Sequence, residues 1–211
     1  MKLHPLYSKT VLCLIASVTL SGTDFCLAKD SKPGISNEST KAADAEEKRK
    51  KHLARSVSCF EVAAPREVVW QTLTNFSKYP DLFKRIKTCR VTKREGDIVF
   101  IESIMKSQLF IKPCQHTIND LTNGPATLKW KLLDGNFKSV EGVWSLEPVK
   151  DGDHTKVTYA IEVEPGIVPQ AVVSMFLNAI QKEAVTSVTS ASESFFAEHR
   201  SANEHAPNNK G

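Results

Sequence analysis

The second half of the chain is a series of short alternating segments followed by one long amphipathic segment. Six segments between residues 88 and 164 have strand character, and several are separated by Asn123-Gly124, Asp134-Gly135 or Asp151-Gly152. Asn-Gly and Asp-Gly pairs favour tight hairpins because these residues tolerate positive φ. The alternation is clearest over 156–164. The pattern therefore predicts antiparallel strands joined in sequence, with one face apolar.

A single long helix is predicted to follow these strands, from Pro169 to about His199. Its apolar residues recur at spacings of three and four, which is the period of a helix with one buried face: Val173, Phe176, Ile180, Ala184, Val188, Ala191 and Phe195. The apolar face of the sheet needs a cover, and this stripe provides one. A sheet that wraps around a helix without touching it everywhere leaves a cavity, and cavities bind ligands.

The segment before the six strands predicts one further strand and two short helices. Ser56 to Val62 alternates as a strand, and Pro65 suits the first position of a helix that ends near Asn75. A second short helix is predicted around residues 82–86. The whole order indicates a single α+β domain over residues 56–200, followed by a polar tail at 201–211.

The amino terminus resembles a secretory leader. Residues 1–28 contain Lys2 and Lys9, an apolar run over 11–20, and small residues at the −3 and −1 positions of a cleavage site after Ala28. Export to a periplasm or to the extracellular space is therefore predicted, and an uncleaved anchor is the alternative.

Residues 29–55 have few large apolar side chains and are predicted to be a flexible charged linker. Within it lies the run Lys48, Arg49, Lys50 and Lys51. This run could contact anionic lipid headgroups. The alternative is a solvated run whose charges only repel one another.

The positive charge of the chain lies outside the predicted domain. The net charge is +4, residues 29–55 carry eight basic and five acidic side chains, and residues 56–211 carry 18 of each. A domain that binds a polyanion normally carries its own basic surplus, so nucleic acid is not an expected partner. A neutral domain suits an uncharged ligand.

Three parts of the domain resemble the SRPBCC superfamily of START and helix-grip proteins, in its polyketide cyclase/dehydrase and coenzyme Q-binding branch. They are Phe60–Trp70, with its Ala-Ala-Pro step, Asn75–Pro80, with its Tyr-Pro pair, and the paired strands at 142–148 and 155–159. The resemblance implies a helix-grip fold, in which a curved seven-stranded antiparallel sheet wraps around the long C-terminal helix. It also implies a cavity for lipids, isoprenoid quinones or polycyclic compounds.

The cavity is expected to be lined by aromatic and aliphatic residues of the sheet and the long helix: Trp130, Trp144, Tyr159, Phe176 and Ile180. An aromatic stripe of this kind is also typical of plain core. Its interpretation as a ligand wall depends on the fold.

Motifs for nucleophilic, metal or phosphate chemistry are absent from the sequence, and the six histidines are scattered. No metal site or cofactor is predicted. Glu102 and His116 are weak catalytic candidates. Glu102 lies in a strand with two apolar faces, and burial would raise the pKa of its carboxyl. His116 is the only histidine within a predicted strand. For both, an exposed outer position is the alternative.

The predicted mature chain keeps three cysteines, Cys59, Cys89 and Cys114, without metal-ligand spacing. They could be three small buried apolar residues. The resemblance suggests that the first strand and the strand after the short helices are neighbours, so a Cys59–Cys89 disulfide is expected.

Three functions remain open. The first is an exported carrier of a hydrophobic small molecule, without catalysis. The second is a cyclase or dehydratase that uses acid–base residues in the same cavity. The third is a protein-interaction or toxin-like module without a ligand.

Overall fold

The computed structural model describes residues 53–106 and 114–204. The predicted leader, most of the linker with its run at Lys48–Lys51, and the end of the tail lie outside the described residues. None of the described helices is both long enough and apolar enough to cross a membrane.

Seven strands form one antiparallel sheet, which confirms the predicted architecture. The strands are β1 (Ala54–Val62), β2 (Ile86–Glu95), β3 (Ile98–Met105), β4 (Cys114–Asp120), β5 (Thr127–Asp134), β6 (Ser139–Val149) and β7 (His154–Glu164). Their order across the sheet is β1-β7-β6-β5-β4-β3-β2. The two edge strands are therefore β1 and β2.

The helices are α1 (Arg66–Thr74), α2 (Tyr79–Leu82) and α3 (Gln170–Glu204). The two short helices lie between β1 and β2, and α3 packs mainly on β1 and α1. A 3₁₀ turn at Phe76–Lys78 joins the short helices. The arrangement is the helix-grip fold that the resemblance implies.

The observed domain is slightly longer than predicted. β1 begins at Ala54, which pairs with Val163 of β7, so the last two residues predicted as linker belong to the sheet. α3 continues to Glu204, past the helix end predicted near His199. β7 begins at His154, so His116 is not the only strand histidine. Polar residues at element ends carry little periodic signal, which explains these shifts.

The buried face of α3 differs in part from the predicted apolar stripe. Val173, Ala184 and Val188 are buried as predicted, but the same face also carries Leu177, Gln181 and Ser192. The Ser192 hydroxyl donates to Thr72 Oγ1 of α1 at 3.1 Å, and Gln181 Nε2 donates to the Tyr159 carbonyl at 3.5 Å. These hydrogen bonds compensate for burying the two polar side chains, which the apolar periodicity had placed on the solvent-exposed face.

The expected Cys59–Cys89 disulfide is wrong. Cys59 lies on β1 and Cys89 on β2, which are the opposite edges of the sheet. Cys59 is exposed and accepts a contact from Thr158 at 3.8 Å, whereas Cys89 packs inward and is contacted by the Ser103 hydroxyl at 3.5 Å. Both thiols are free. Two thiols at opposite edges cannot be bridged without rebuilding the sheet.

Candidate functional site

A cavity of about 170 Å³ lies between the inner face of the sheet and the middle of α3. Strands β2 to β7, helix α2 and the turn after it contribute its walls. The lining residues are Tyr79, Phe83, Arg85, Ile86, Ile101, Ser103, Met105, Gln115, Thr117, Asn119, Trp130, Trp144, Tyr159, Ile180, Glu183 and Ala184. Alternate residues of each strand reach it because strand side chains point to opposite faces in turn.

Three aromatic side chains of the sheet form one wall. Trp144 and Tyr159 are cross-strand partners whose rings stack with centroids 3.9 Å apart and an angle of 12° between planes. The side chain of Trp130 interacts with that of Tyr159. Burial raises the pKa of the Tyr159 hydroxyl, so it stays neutral at physiological pH. The wall is therefore rigid, aromatic and uncharged.

The indole of Trp130 lies flat over the backbone of Gly142, its cross-strand partner. A Cβ atom at position 142 would lie 2.3 Å from two atoms of the indole, which is far inside contact distance. Only glycine leaves room for this close approach, so Gly142 sets the position of the wall.

Gly142→Ala is expected to push the Trp130 indole into the cavity. Overpacking of this kind typically costs about 1–3 kcal/mol of the free energy of unfolding. Urea denaturation checks the stability, and near-ultraviolet circular dichroism checks the indole environment. Gly96→Ala is the control, because a Cβ there meets nothing within 4 Å, although its φ of +59° adds some local strain. An unchanged aromatic dichroism in Gly142→Ala would contradict the role of Gly142.

A second aromatic group closes the cavity near α2. The ring of Tyr79 meets Phe76 and Phe83 edge-on, with centroids 5.3 and 5.1 Å away. The Tyr79 hydroxyl donates to the Leu73 carbonyl at 2.7 Å, and burial raises its pKa. This hydroxyl therefore ties α2 to α1 and is not an acid at neutral pH.

Arg85 and Glu183 form an ion pair at the side of the cavity. Arg85 Nε donates to Glu183 Oε2 at 2.9 Å, and the two side chains are only 25% and 15% exposed. The other carboxylate oxygen, Oε1, is buried and accepts no hydrogen bond from the described part of the chain. A buried acceptor without a donor is costly, and Oε1 has essentially no solvent-accessible surface.

Amide and hydroxyl side chains of β4 add a second polar strip. Gln115, Thr117 and Asn119 alternate along the inner face of that strand. Asn119 is 4% exposed, and its Nδ2 donates to Thr117 Oγ1 at 3.3 Å. The cavity is thus amphipathic, with an aromatic wall and polar groups at β4 and at the ion pair.

The structure places four of the five predicted cavity residues along this cavity: Trp130, Trp144, Tyr159 and Ile180. That they contact a ligand stays a prediction. Phe176 is a correction, because it does not line the cavity but packs against Phe137 with ring centroids 5.0 Å apart. It lies one helical turn nearer the start of α3 than Ile180 and covers the β5–β6 turn instead.

The polar lining was missed by the sequence analysis. Arg85 lies in an irregular turn, and Glu183 is one of several charged residues on α3. The only available signal was the spacing from Ile180 to Glu183 and Ala184, which places all three on adjoining faces of the helix.

Glu102 and His116 do not reach the cavity. They are cross-strand partners of β3 and β4 and lie on the outer face of the sheet, since Ile101, Ser103, Gln115 and Thr117 take the inner one. Arg90 Nε donates to Glu102 Oε1 at 2.7 Å and lowers the pKa of the Glu102 carboxyl, against the rise expected from burial. The idea of a cavity acid at Glu102 or a cavity base at His116 is therefore wrong.

The same outer face brings Cys114 to this pair. Its Sγ lies 4.0 Å from His116 Nε2, which lies 3.3 Å from Glu102 Oε2. The sequence shows no metal-ligand spacing, because Glu102 joins Cys114 and His116 only through the β3–β4 register. The Cys-x-His step, which places two ligands on one face of a strand, was the available signal.

Comparisons with known structures identify the same fold. The ZhuI aromatase/cyclase from Streptomyces sp. R1128 matches with a TM-score of 0.56 at 16% identity, over 67% of this chain and 94% of that one. A START superfamily protein from Mycobacterium smegmatis matches with a TM-score of 0.55 at 20% identity, over 68% and 97%. A protein of Thermus thermophilus gives 0.55 at 16% identity, over 69% and 99%.

No curated protein has a significant match to the sequence. One family model does match, that of polyketide cyclase/dehydrase and lipid transport proteins, and it covers residues 62–189. This range exceeds half of the chain. It runs from the end of β1 into α3 and therefore includes every strand that lines the cavity. The chain belongs to the polyketide cyclase/dehydrase and lipid transport family.

Proposed function

We propose that the chain is an exported carrier that binds a hydrophobic small molecule in the cavity between the sheet and α3. The observation that carries the proposal is the cavity itself, which lies beside the hydrophobic core and has a wall of Trp130, Trp144 and Tyr159. Apolar pockets with a few convergent polar groups are the usual form of small-molecule sites.

The volume limits the part of the ligand that enters. Pockets for drug-sized ligands measure about 300–1,000 Å³, whereas a cavity of about 150 Å³ holds a benzene ring. A cavity of about 170 Å³ therefore accepts one ring, or a short acyl segment. The rest of a lipid, quinone or polycyclic compound would extend through the mouth.

The ion pair defines the polar end of the ligand. Among the described residues, none donates a hydrogen bond to Glu183 Oε1, and the Arg85 guanidinium beside it has donors beyond the one used at 2.9 Å. A small rotation of the Glu183 carboxylate toward the cavity would let a ligand hydroxyl donate to the first and accept from the second. We therefore propose a hydrophobic molecule that carries a hydroxyl group.

The ionisable side chains that line the cavity favour a carrier role over catalysis. Among the described residues, those lining the cavity include no histidine or cysteine. Its two tyrosine hydroxyls have raised pKa values. A carrier needs only burial and one polar anchor, and the cavity has both. Export and a periplasmic or extracellular location are proposed on the leader predicted at residues 1–28.

A cyclase or dehydratase is the second candidate. It is favoured by the Glu183 carboxylate at the cavity, which could take a proton from an acidic carbon, with Arg85 beside it to stabilise the resulting oxyanion. Ring closure or water loss from a linear β-dicarbonyl compound, abolished in Glu183→Gln, would support this candidate.

Tryptophan fluorescence tests the binding proposal. A Trp70→Phe background leaves Trp130 and Trp144 as the only reporters, because the chain has three tryptophans. Decanol and 2-naphthol serve as acyl-chain and two-ring probes with a hydroxyl group. We expect a saturable change in emission at one probe per chain, and a weaker affinity in Glu183→Leu.

The control is a two-ring probe without a hydroxyl, naphthalene, which is expected to bind more weakly than 2-naphthol. If no probe gives a saturable change, the binding proposal is contradicted and the ligand-free interaction module becomes the preferred function. If binding is equal for 2-naphthol and naphthalene, the proposed polar anchor is wrong.

A further inference from the structure

Three potential metal ligands meet on the outer face of the sheet, away from the cavity. One oxygen of Glu102, the sulfur of Cys114 and one ring nitrogen of His116 all lie within 4.8 Å of one another. Each of the three side chains is partly buried. Neither the cavity nor the proposed carrier function uses this cluster.

The backbone holds these residues in place. Glu102 and His116 are directly paired across β3 and β4, and Cys114 lies two residues before His116 on the same face. Neighbouring positions on one sheet face have Cβ atoms about 4.5–7 Å apart, which lets their side-chain tips converge on one point. All three residues therefore belong to β3 and β4, and Cys114 is the first residue of β4.

Two separations approach those around one tetrahedral ion, and the third, between Glu102 and Cys114, lies within 4.8 Å. Zinc bonds of about 2.0–2.3 Å at tetrahedral angles place a nitrogen and an oxygen ligand about 3.4 Å apart, and a sulfur and a nitrogen about 3.6 Å apart. The observed separations are 3.3 Å for His116 Nε2 to Glu102 Oε2 and 4.0 Å for Cys114 Sγ to His116 Nε2. Small side-chain rotations close the second gap.

Arg90 supports the carboxylate from the opposite side. Its Nε donates to Glu102 Oε1 at 2.7 Å, which leaves Oε2 directed at His116. Carboxylate ligands are commonly oriented by a hydrogen bond to their second oxygen. The Arg90 side chain is 71% exposed, so water screens its positive charge.

We propose that Glu102, Cys114 and His116 bind one divalent cation of the zinc class on the outer face of the sheet. A thiolate and an imidazole select zinc and similar ions over magnesium and calcium, which prefer oxygen ligands only. Three protein ligands leave a fourth position for water. The site is independent of the proposed ligand cavity.

Cobalt titration tests the site, because Co²⁺ bound to a thiolate gives a charge-transfer band in the near ultraviolet and visible bands typical of tetrahedral geometry. The metal-free, reduced protein is titrated with Co²⁺ and then with Zn²⁺. We expect one Co²⁺ per chain, the thiolate band, and its loss when Zn²⁺ displaces the cobalt. Cys114→Ser is expected to remove the band.

Matched variants locate the ligands. Cys59→Ser removes the exposed thiol at the far edge of the sheet and is expected to keep the full band. His116→Gln and Glu102→Gln are each expected to weaken Co²⁺ binding at least tenfold. A second measurement is the unfolding temperature, which Zn²⁺ should raise in the wild type and in Cys59→Ser but not in His116→Gln. A band that survives in Cys114→Ser, or no band at saturating Co²⁺, would overturn the proposal.

Discussion

Replacing Trp144 by alanine is expected to lower the free energy of unfolding by about 3–5 kcal/mol. Trp144 is 4% exposed and lies on β6, which is paired on both sides by β5 and β7. Its ring stacks on Tyr159 at 3.9 Å, and an aromatic pair adds about 0.5–1.5 kcal/mol beyond the buried area. The loss is a large share of a typical total of about 5–15 kcal/mol.

Equilibrium urea denaturation measures this loss. Trp144→Phe is the matched control, because it keeps an aromatic ring against Tyr159 and is expected to cost well under half as much. Trp70→Ala is a second control, since Trp70 is only partly buried on α1 and lies away from the cavity. Equal losses for Trp144→Ala and Trp70→Ala would contradict the central place of Trp144 in the core.

Replacing Ala184 by phenylalanine is expected to weaken ligand binding at least tenfold, which corresponds to about 1.4 kcal/mol. Ala184 is 2% exposed and lies at the cavity on α3. A benzene ring fills a cavity of about 150 Å³, so a phenyl group at this position occupies most of the space available. A small-to-large change at a buried position typically costs about 1–3 kcal/mol of stability, so we expect a folded but less stable variant.

The titration with decanol and 2-naphthol measures this loss of affinity. Ala171→Phe is the matched control. Ala171 is exposed in the first turn of the same helix and does not line the cavity. It is expected to bind the probes like the wild type. Unchanged binding in Ala184→Phe, with the variant folded, would show that the probes bind elsewhere.

Local patterns were sufficient to predict the elements of the fold. The alternation of β7 and the Asp-Gly and Asn-Gly turns predicted strands that the structure confirms. Strand order is not a local property. The Cys59–Cys89 pairing assumed that β1 and β2 are adjacent, and the sheet instead places them at opposite edges.

Alternation also cannot orient a strand whose two faces are both apolar. β3 has Val99 and Ile101 on one face and Phe100 and Ile104 on the other, so the side taken by Glu102 was ambiguous. The structure resolves it through packing, since Val99 and Ile101 are buried with Phe76. The helix stripe was ambiguous in the same way, because buried Gln181 and Ser192 look like surface residues in the sequence.

Polar features of the site depend on long-range proximity. Arg85 and Glu183 are 98 positions apart, and their pairing follows from the way α3 crosses the sheet. The cluster of Glu102, Cys114 and His116 depends on the β3–β4 register. Aromatic cavity residues were easier to predict, because strand alternation alone places Trp130, Trp144 and Tyr159 on inner faces.

Native mass spectrometry of the protein purified without added ligand tests the central claim most directly. The wild type is predicted to retain a hydroxyl-bearing hydrophobic molecule that organic solvent extracts, at up to one per chain. Ala184→Phe, purified in parallel, is predicted to carry none, while Ala171→Phe carries the same molecule as the wild type. A wild-type mass equal to that of the bare chain, with nothing in the solvent extract, would contradict the proposed carrier function.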